Sequence, residues 1–371
     1  MLQRFFPMLL AGLLLAACAT GGSAPTPAPS PTATSPAPAS PTIAPAPSPT
    51  ATSPAPATAP AATPTTPSAA AKPIVVASFS ILGDLVHNVG GDHIDLRVLV
   101  PAGADTHTFE PTPADSAALA KANLIVEIGV GYEGWLDALA KGAGTRATRV
   151  AVTQGMDLIR AEAHADEKHE KHDEKPGERT PDKHAHDEHG SSEFDPHVWH
   201  DVQRAIHMTG VIRDALIQVD AANAARYRAN ADRYIAELQA LDAWIVARAG
   251  AVPPERRKLV TSHGTFNYFA RRYGFEIVGT ALGSISTEAS EPSAGAFAQL
   301  VKEIKAAGVP AIFAENVSNP KLMERLAAEA GVTLVPGLYT DALGPPGSAG
   351  DTYIKLMRHN VSTITTALSR A

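Results

Sequence analysis

Short apolar runs alternate with longer amphipathic segments from about residue 72 onward. The short runs predict buried strands, whereas apolar residues that recur every three or four positions predict helices. In the first half, strands are predicted at 74–79, 94–100, 124–128 and 149–152, and helices at 82–89, 113–122 and 132–141. Strand–helix units that repeat in this way predict a parallel sheet covered by helices.

The last part of the chain repeats this alternation. Strands are predicted at 258–261, 275–278, 311–314 and 333–335, and helices at 265–273, 293–307, 320–330 and 351–368. No convincing sequence repeat relates the two halves. We therefore expect a shared architecture without internal sequence similarity.

Two longer helices are predicted between the halves. The first covers 201–218 and begins at Asp201, a residue type that caps helices well. The second covers 220–250 and carries one apolar stripe, spaced by alternating intervals of four and three: Tyr227, Ala231, Tyr234, Leu238, Leu241 and Ile245. A helix of about 30 residues is roughly 45 Å long, which is enough to run along two domains.

The first 18 residues have the pattern of a bacterial lipoprotein signal. Arg4 precedes an apolar run at 5–15, and small residues follow it up to Cys18. Such a run is too short to remain as a membrane-spanning helix and is typical of a secretory signal. Cys18 follows Leu-Ala-Ala, which resembles a lipobox, so we expect its lipidation to tether the protein to a membrane face. It is the only cysteine, so no intrachain disulfide can form.

Residues 19–71 are a low-complexity segment. They contain 15 of the 31 prolines and no charged residue. The remaining positions are almost all Ala, Ser or Thr. This composition cannot bury enough apolar area to offset the entropy of ordering, and proline favours extended backbone. We expect a disordered stalk between the anchor and the α/β body.

A second polar segment, 162–190, interrupts the body. It is rich in acidic residues and lysine and has no apolar period, which predicts a disordered insertion. Its histidines are His164, His169, His172, His184, His186 and His189. The segment is either a solvated loop or an auxiliary region of weak metal capture, and its composition leaves both interpretations open.

Charge and apolar content narrow the classes of function. The formal net charge of −7 argues against a nucleic-acid-binding surface. An apolar content of 44% is enough for a buried core in each of two domains. We therefore expect two α/β domains, 72–219 and 251–371, joined by the helix at 220–250.

Four residues in predicted loops offer ligands suited to a metal ion. His107, His263 and Asp341 follow predicted strands, and His197 lies in Phe-Asp-Pro-His just before the 201–218 helix. Open α/β sheets bind ligands at the carboxyl ends of their strands. A loop histidine alone is a weak signal. Together, three imidazoles and one carboxylate suit tetrahedral Zn²⁺.

The motifs around these residues resemble those of zinc-type, ZnuA-like substrate-binding proteins of metal-uptake ABC transporters, the cluster A-I family. The resemblance covers about residues 72–371. The motifs that carry it are His107-Thr-Phe-Glu-Pro-Thr-Pro, Asp195-Pro-His-Val-Trp, Ser262-His263 with Phe266-Asn-Tyr-Phe-Ala-Arg-Arg-Tyr-Gly, Thr287 through Glu291-Pro-Ser-Ala-Gly, and Leu338-Tyr-Thr-Asp-Ala-Leu-Gly.

The resemblance implies an α/β fold of two parallel-sheet lobes bridged by one long rigid helix, with the metal between the lobes. It places the metal ligands at His107, His197, His263 and Asp341. It also implies an extracytoplasmic, lipid-anchored monomer that captures Zn²⁺ and delivers it to the permease and ATPase of a membrane ABC importer. The membrane face is a periplasm or the outer face of a cytoplasmic membrane.

Three alternatives concern the metal and its ligands. Manganese-type relatives often carry Glu at the third ligand, so His263 and the histidine-rich loop favour zinc, with Mn²⁺ as the alternative. His200 stands where relatives usually carry an apolar residue, so it competes with His197 as a candidate ligand. Some zinc-type members use water in place of the fourth carboxylate, which makes Asp341 the least secure ligand.

A secreted zinc hydrolase is the alternative from another class of function. A catalytic zinc keeps one coordination position open for water, and four protein ligands would close the site. The His-Glu-x-x-His pattern is absent, because His169-Glu-Lys-His172 is one residue too short. The sequence therefore favours metal capture without enzymatic activity.

Overall fold

The computed structural model of the protein describes residues 71–161 and 193–369. The predicted signal with Cys18, nearly all of the stalk at 19–71 and the histidine-rich segment at 162–190 lie outside the described residues. Within the two described stretches, no helix is both long and apolar enough to cross a bilayer.

Four parallel strands form the sheet of the first half, in the order β2-β1-β3-β4. They are β1 (Ile74–Phe79), β2 (Asp95–Val100), β3 (Leu124–Glu127) and β4 (Thr148–Ala151). The helices between them are α1 (Ser80–Gly90), α2 (Pro113–Lys121) and α3 (Leu136–Ala143). Val75 of β1 pairs with Leu96 on one side and Leu124 on the other. β1 is therefore one of the two internal strands of the sheet, and it is buried.

Two long helices follow the first sheet. In α4 (Val202–Val219), the Asp201 side chain accepts a hydrogen bond from the backbone N–H of Gln203, which confirms the predicted cap. The next helix, α5 (Ala224–Gly250), has 27 residues and begins after a 3₁₀ turn, somewhat later than predicted. Every residue of its predicted apolar stripe is buried. α5 packs against α1 and α4 of the first half, and the stripe belongs to a core that extends into the second half.

The second half has two pairs of parallel strands. β5 (Lys258–Thr261) pairs with β6 (Glu276–Thr280), and β7 (Ala311–Glu315) pairs with β8 (Thr333–Leu338). Its helices are α6 (Asn267–Tyr273), α7 (Ala294–Ala307), α8 (Pro320–Ala330) and α9 (Tyr353–Ser369). α5 also contacts α6 and α9, so one helix bridges both halves. The predicted α/β class and the presence of every predicted strand and helix are confirmed, although α3 begins at Leu136 and not at Tyr132. The exact domain boundaries stay a prediction.

Aromatic side chains fill the space between the halves. The Trp199 ring lies 5.1 Å from the Phe79 ring, and its indole N–H donates to the Thr340 carbonyl at 2.9 Å. His200 is fully buried, and its ring lies 4.6 Å from the Phe266 ring. Neither of its nitrogens has a hydrogen-bond partner among the described residues. Burial lowers the pKa of His200 to about 3, so its imidazole is neutral in the folded protein at ordinary pH.

Replacing His200 with leucine should stabilise the metal-free protein. The change removes two unpaired buried nitrogens, which is worth roughly 1 kcal/mol at pH 8. In the unfolded wild type, His200 is protonated below about pH 6.5, whereas in the folded protein it stays neutral down to about pH 3. The free energy of unfolding therefore falls as the pH drops below about 6.5. The advantage of His200→Leu should therefore be about 2 kcal/mol larger at pH 5.

Urea unfolding at both pH values, in the presence of chelator, measures this difference. The control His87→Leu makes the same exchange at an exposed histidine and shows how much of the effect comes from the substitution itself. An equal effect of His200→Leu at pH 5 and pH 8 would contradict the prediction.

Candidate metal centre

The four predicted ligand residues come from four separate loops. His107 lies in the loop after β2, His263 directly after β5, and Asp341 shortly after β8. His197 precedes the 3₁₀ turn Val198–His200, which leads into α4. Three of the four loops leave the carboxyl ends of parallel strands, so the site forms where the strands of both halves point toward each other.

The structure brings these four side chains together at one point. Their candidate ligand atoms all lie within 4.8 Å of one another. The Nε2 of His263 is 2.9 Å from Asp341 Oδ2, and the Nε2 of His197 is 3.5 Å from Asp341 Oδ1. The Nε2 atoms of all three histidines and both Asp341 oxygens are buried and lack a hydrogen-bond partner of good geometry among the described residues. We call these four residues the His₃Asp cluster.

Asp195 fixes the orientation of His197. Its Oδ1 accepts hydrogen bonds from the His197 Nδ1 at 2.7 Å and from the His197 backbone N–H at 2.9 Å. Its other oxygen accepts from the Asn267 side chain at 2.9 Å. Because Nδ1 carries the proton in this contact, Nε2 presents its lone pair to the cluster.

Glu315, at the end of β7, does the same for His263. Its Oε2 lies 2.5 Å from the His263 Nδ1, and its Oε1 accepts from the backbone N–H groups of Ser262 and His263. The Thr340 hydroxyl also donates to Oε2 at 3.2 Å. The Glu315 carboxylate therefore connects the loop that carries His263 to the loop that carries Asp341.

His107 is held by packing and by its backbone. Its ring meets the edge of Tyr132 at a centroid distance of 5.0 Å, and Asp105 Oδ1 accepts from its backbone N–H at 2.9 Å. Burial lowers the pKa of His107 to about 3, despite the opposing effect of Asp341. His107 is therefore a neutral imidazole, the form that binds metal ions.

At His263 and Asp341, neighbouring charged groups shift both pKa values strongly. Burial lowers the pKa of His263, but Glu315 and Asp341 outweigh it and raise that pKa well above its usual value. Burial raises the pKa of Asp341, but the three imidazoles outweigh it and hold that pKa below its usual range. Without a metal, His263 is therefore protonated, and its positive charge lies beside the Asp341 carboxylate.

Sequence reasoning and the structure differ on one candidate ligand. His200, which the sequence offered as a competitor of His197, is not part of the His₃Asp cluster and lies against Phe266 instead. The six histidines of 162–190 and Cys18 lie outside the described residues.

Sequence reasoning missed the roles of Asp195 and Glu315. Asp195 stands two residues before His197, so its role could have been inferred from the local motif. Glu315 is 52 residues from His263, and the only available signal was its position at the end of a predicted strand.

Comparison with known proteins agrees with this geometry. The family model of ZnuA, described as zinc-uptake complex component A, periplasmic, matches residues 75–367. The manganese-binding lipoprotein MntA of Halalkalibacterium halodurans is 32% identical over 296 residues, which are 80% of this chain and 88% of MntA.

Two solved structures share the fold. The periplasmic zinc-binding protein TroA of Treponema pallidum has a TM-score of 0.67 and 29% identity, over 81% of this chain and all of TroA. A manganese-bound periplasmic metal-binding protein from Candidatus Liberibacter asiaticus has a TM-score of 0.67 and 25% identity, over 80% of this chain and all of that protein. Further relatives are named as substrate-binding lipoproteins of metal ABC transporters, which is a binding role and not an enzymatic one. The chain therefore belongs to the ZnuA family, the substrate-binding proteins of metal ABC transporters.

Proposed function

We propose that the protein captures Zn²⁺ outside the cytoplasm with His107, His197, His263 and Asp341, and delivers it to a membrane importer. The observation that carries this proposal is a set of five buried polar atoms that face one another in the His₃Asp cluster without well-formed hydrogen bonds, although His263 and Asp341 are in ion-pair contact. Leaving such atoms unpaired is unfavourable, so the arrangement is suited to a cation that binds all of them. Four protein ligands also leave no open position for the water of a zinc hydrolase.

The donor set favours zinc. Three imidazole nitrogens and one carboxylate are a preferred zinc environment, whereas manganese prefers more oxygen ligands. Ligand atoms around a tetrahedral zinc with bonds of about 2.1 Å lie roughly 3.4 Å apart. The measured contacts, 2.9 Å from His263 Nε2 to Asp341 Oδ2 and 3.5 Å from His197 Nε2 to Oδ1, involve different oxygens, so the spacing by itself does not choose the metal.

Manganese is the second candidate cargo. MntA of Halalkalibacterium halodurans is named a manganese-binding lipoprotein, and one of the similar structures is manganese-bound. TroA of Treponema pallidum is named a zinc-binding protein. Since proteins with this fold bind both metals, the fold does not select the ion, and the choice depends on the ligands.

The proposed partners follow from the family. Substrate-binding lipoproteins of metal ABC transporters work with a membrane permease and an ATPase. We infer that lipidation of Cys18 anchors a monomer to an extracytoplasmic membrane face. The stalk at 19–71 would let the metal-binding body extend away from that membrane. The histidines of 162–190 would then raise the local concentration of zinc near the site without forming it.

The metal content of the protein tests the main proposal. We expect one zinc per chain when residues 72–371 are purified natively without an affinity tag, measured by mass spectrometry of metals. Since residues 71–161 and 193–369 hold no second cluster of this kind, replacing both His197 and Asp341 with Ala should abolish the tightly bound metal. One manganese and no zinc per chain would contradict the zinc assignment.

Exchanging the third ligand should shift the preference toward manganese. His263→Glu alone would bury two carboxylates side by side, because Glu315 faces the His263 Nδ1. The change is therefore made together with Glu315→Gln. We expect zinc affinity to fall by tenfold or more relative to manganese affinity, since a harder oxygen replaces an imidazole.

The matched control is Glu315→Gln alone. Loss of a carboxylate behind a ligating histidine weakens metal binding by about 10–100-fold and should affect both metals similarly. Competition titrations give the ratio of the two affinities. A ratio that is equal in the double variant and in the control would show that His263 is not a ligand.

Removing residues 162–190 should keep the tight site and eliminate only weak additional binding. The two ends of the segment are already adjacent, because the Ala161 N–H donates to the Glu193 carbonyl at 3.0 Å and Arg160 pairs with Phe194 in an antiparallel bridge. A short Gly-Ser linker can therefore close the gap without moving Asp195. Calorimetry should show one unchanged tight zinc site, and loss of that site would place part of it in the deleted segment.

A further inference from the structure

Two loops from opposite halves meet beside the His₃Asp cluster. The first-ligand loop, residues 101–112, carries His107, and the Thr287 loop, residues 281–293, follows β6. The Thr287 hydroxyl donates a hydrogen bond to Asp105 Oδ2. The other oxygen of the same carboxylate holds the His107 backbone N–H at 2.9 Å. One side chain thus connects the first ligand to a loop that is 182 residues away in sequence.

The Thr287 loop is itself fixed to the loop that carries His263. The Leu282 N–H donates to the Ser262 carbonyl at 2.9 Å, and the Gly264 N–H donates to the Ser284 carbonyl at 2.7 Å. These bonds lie on both sides of His263. A Cβ at Gly264 would approach Ser284 and Ile285 to 3.2 Å, so the two loops are in close contact. Thr287 is therefore attached to the part of the second half that positions the third ligand.

The first-ligand loop has few other connections to the second half. Its backbone makes one, from the Gly103 N–H to the Leu343 carbonyl at 2.9 Å. Several of its residues are exposed, whereas His197, His263 and Asp341 are fully buried. Of the four ligand-bearing segments, this loop has the most exposed residues, and on its own half the Trp135 indole N–H donates to the Thr106 carbonyl at 3.1 Å.

We propose that the Asp105–Thr287 hydrogen bond is a latch that keeps His107 against the second half and so slows release of the metal. The inference rests on the proposed function, since it assumes that the cluster holds a metal ion. A hydrogen bond to a carboxylate is stronger than one between neutral groups, and its loss acts mainly on the rate of dissociation. Asp105 and Thr287 are positioning residues and do not touch the metal.

The test is the rate of zinc release from the full chain, measured by stopped-flow mixing of the zinc-loaded protein with excess chelator. Thr287→Val keeps the shape of the side chain but removes its hydroxyl, and it should raise the dissociation rate by about tenfold. Thr287→Ser keeps the hydroxyl and should release zinc at nearly the wild-type rate. If Thr287→Val does not fold, Thr287→Ala removes the same hydroxyl and the same outcomes apply.

The matched control is Ser290→Ala. It removes a hydroxyl from the same loop, and Ser290 is exposed and makes no hydrogen bond with the described residues. Its dissociation rate should equal that of the wild type. A double-mutant cycle adds a second readout: on an Asp105→Ala background, Thr287→Val should have little further effect, because both changes break the same bond.

The outcomes separate this inference from the proposed function. If the wild type holds one zinc and Thr287→Val releases it at the wild-type rate, the latch is wrong and the proposed function stands. If the wild type retains no metal, both are wrong. Equal acceleration by Thr287→Val and Ser290→Ala would also overturn the latch, because it would reflect general loosening of the loop.

Discussion

The fold has to hold together a group of buried polar atoms that only partly satisfy one another. The Nε2 atoms of His107, His197 and His263 and both oxygens of Asp341 face one point without well-formed hydrogen bonds. Each unpaired buried group costs roughly 1–3 kcal/mol, so the surrounding fold must hold the arrangement in place. Asp195 and Glu315 do much of this, because each occupies the Nδ1 of one histidine and prevents the ring from turning to another partner. The site is thereby preorganised for a cation, and the bound cation would in turn stabilise the fold.

The long helix α5 provides the framework for this arrangement. Its buried stripe packs on α1 and α4 on one side and on α9 on the other, within a core that both halves share. Trp199 adds a direct link, since its indole donates to the Thr340 carbonyl next to Asp341. His197 and Asp341 are consequently held by the same core. Such a connection resists wide separation of the halves.

Proteins with this fold differ in the metal that they bind. Structures with nearly the same TM-score to this chain are described as zinc-binding and manganese-bound. The difference must therefore arise from donor atoms and from the groups behind them, and not from the arrangement of strands and helices. In this chain, the group behind the third ligand is Glu315, which makes an imidazole at position 263 more basic and a carboxylate there unfavourable.

Local sequence was sufficient for the elements and for the four candidate ligands. Apolar runs, the stripe of α5 and the cap at Asp201 act over a few residues, so their pattern could be interpreted without the fold. The start of α5 was placed too early, because Asp220 accepts hydrogen bonds from Asn223 and Tyr227 and forms a 3₁₀ turn before the helix. The positions of His107, His263 and Asp341 after strands pointed to a common site, since parallel strands end at one edge.

Only the tertiary structure decided which groups face the site and what holds them. His197 and His200 belong to one motif, yet one faces Asp341 and the other stacks on Phe266, because Trp199 between them is packed into the core. Glu315 and Thr287 reach their partners across 52 and 182 residues. Contacts at such separations depend on how the elements pack, and no local pattern encodes them. The sequence by itself thus determined the elements and the candidate donors, and packing determined which donors converge and how they are held.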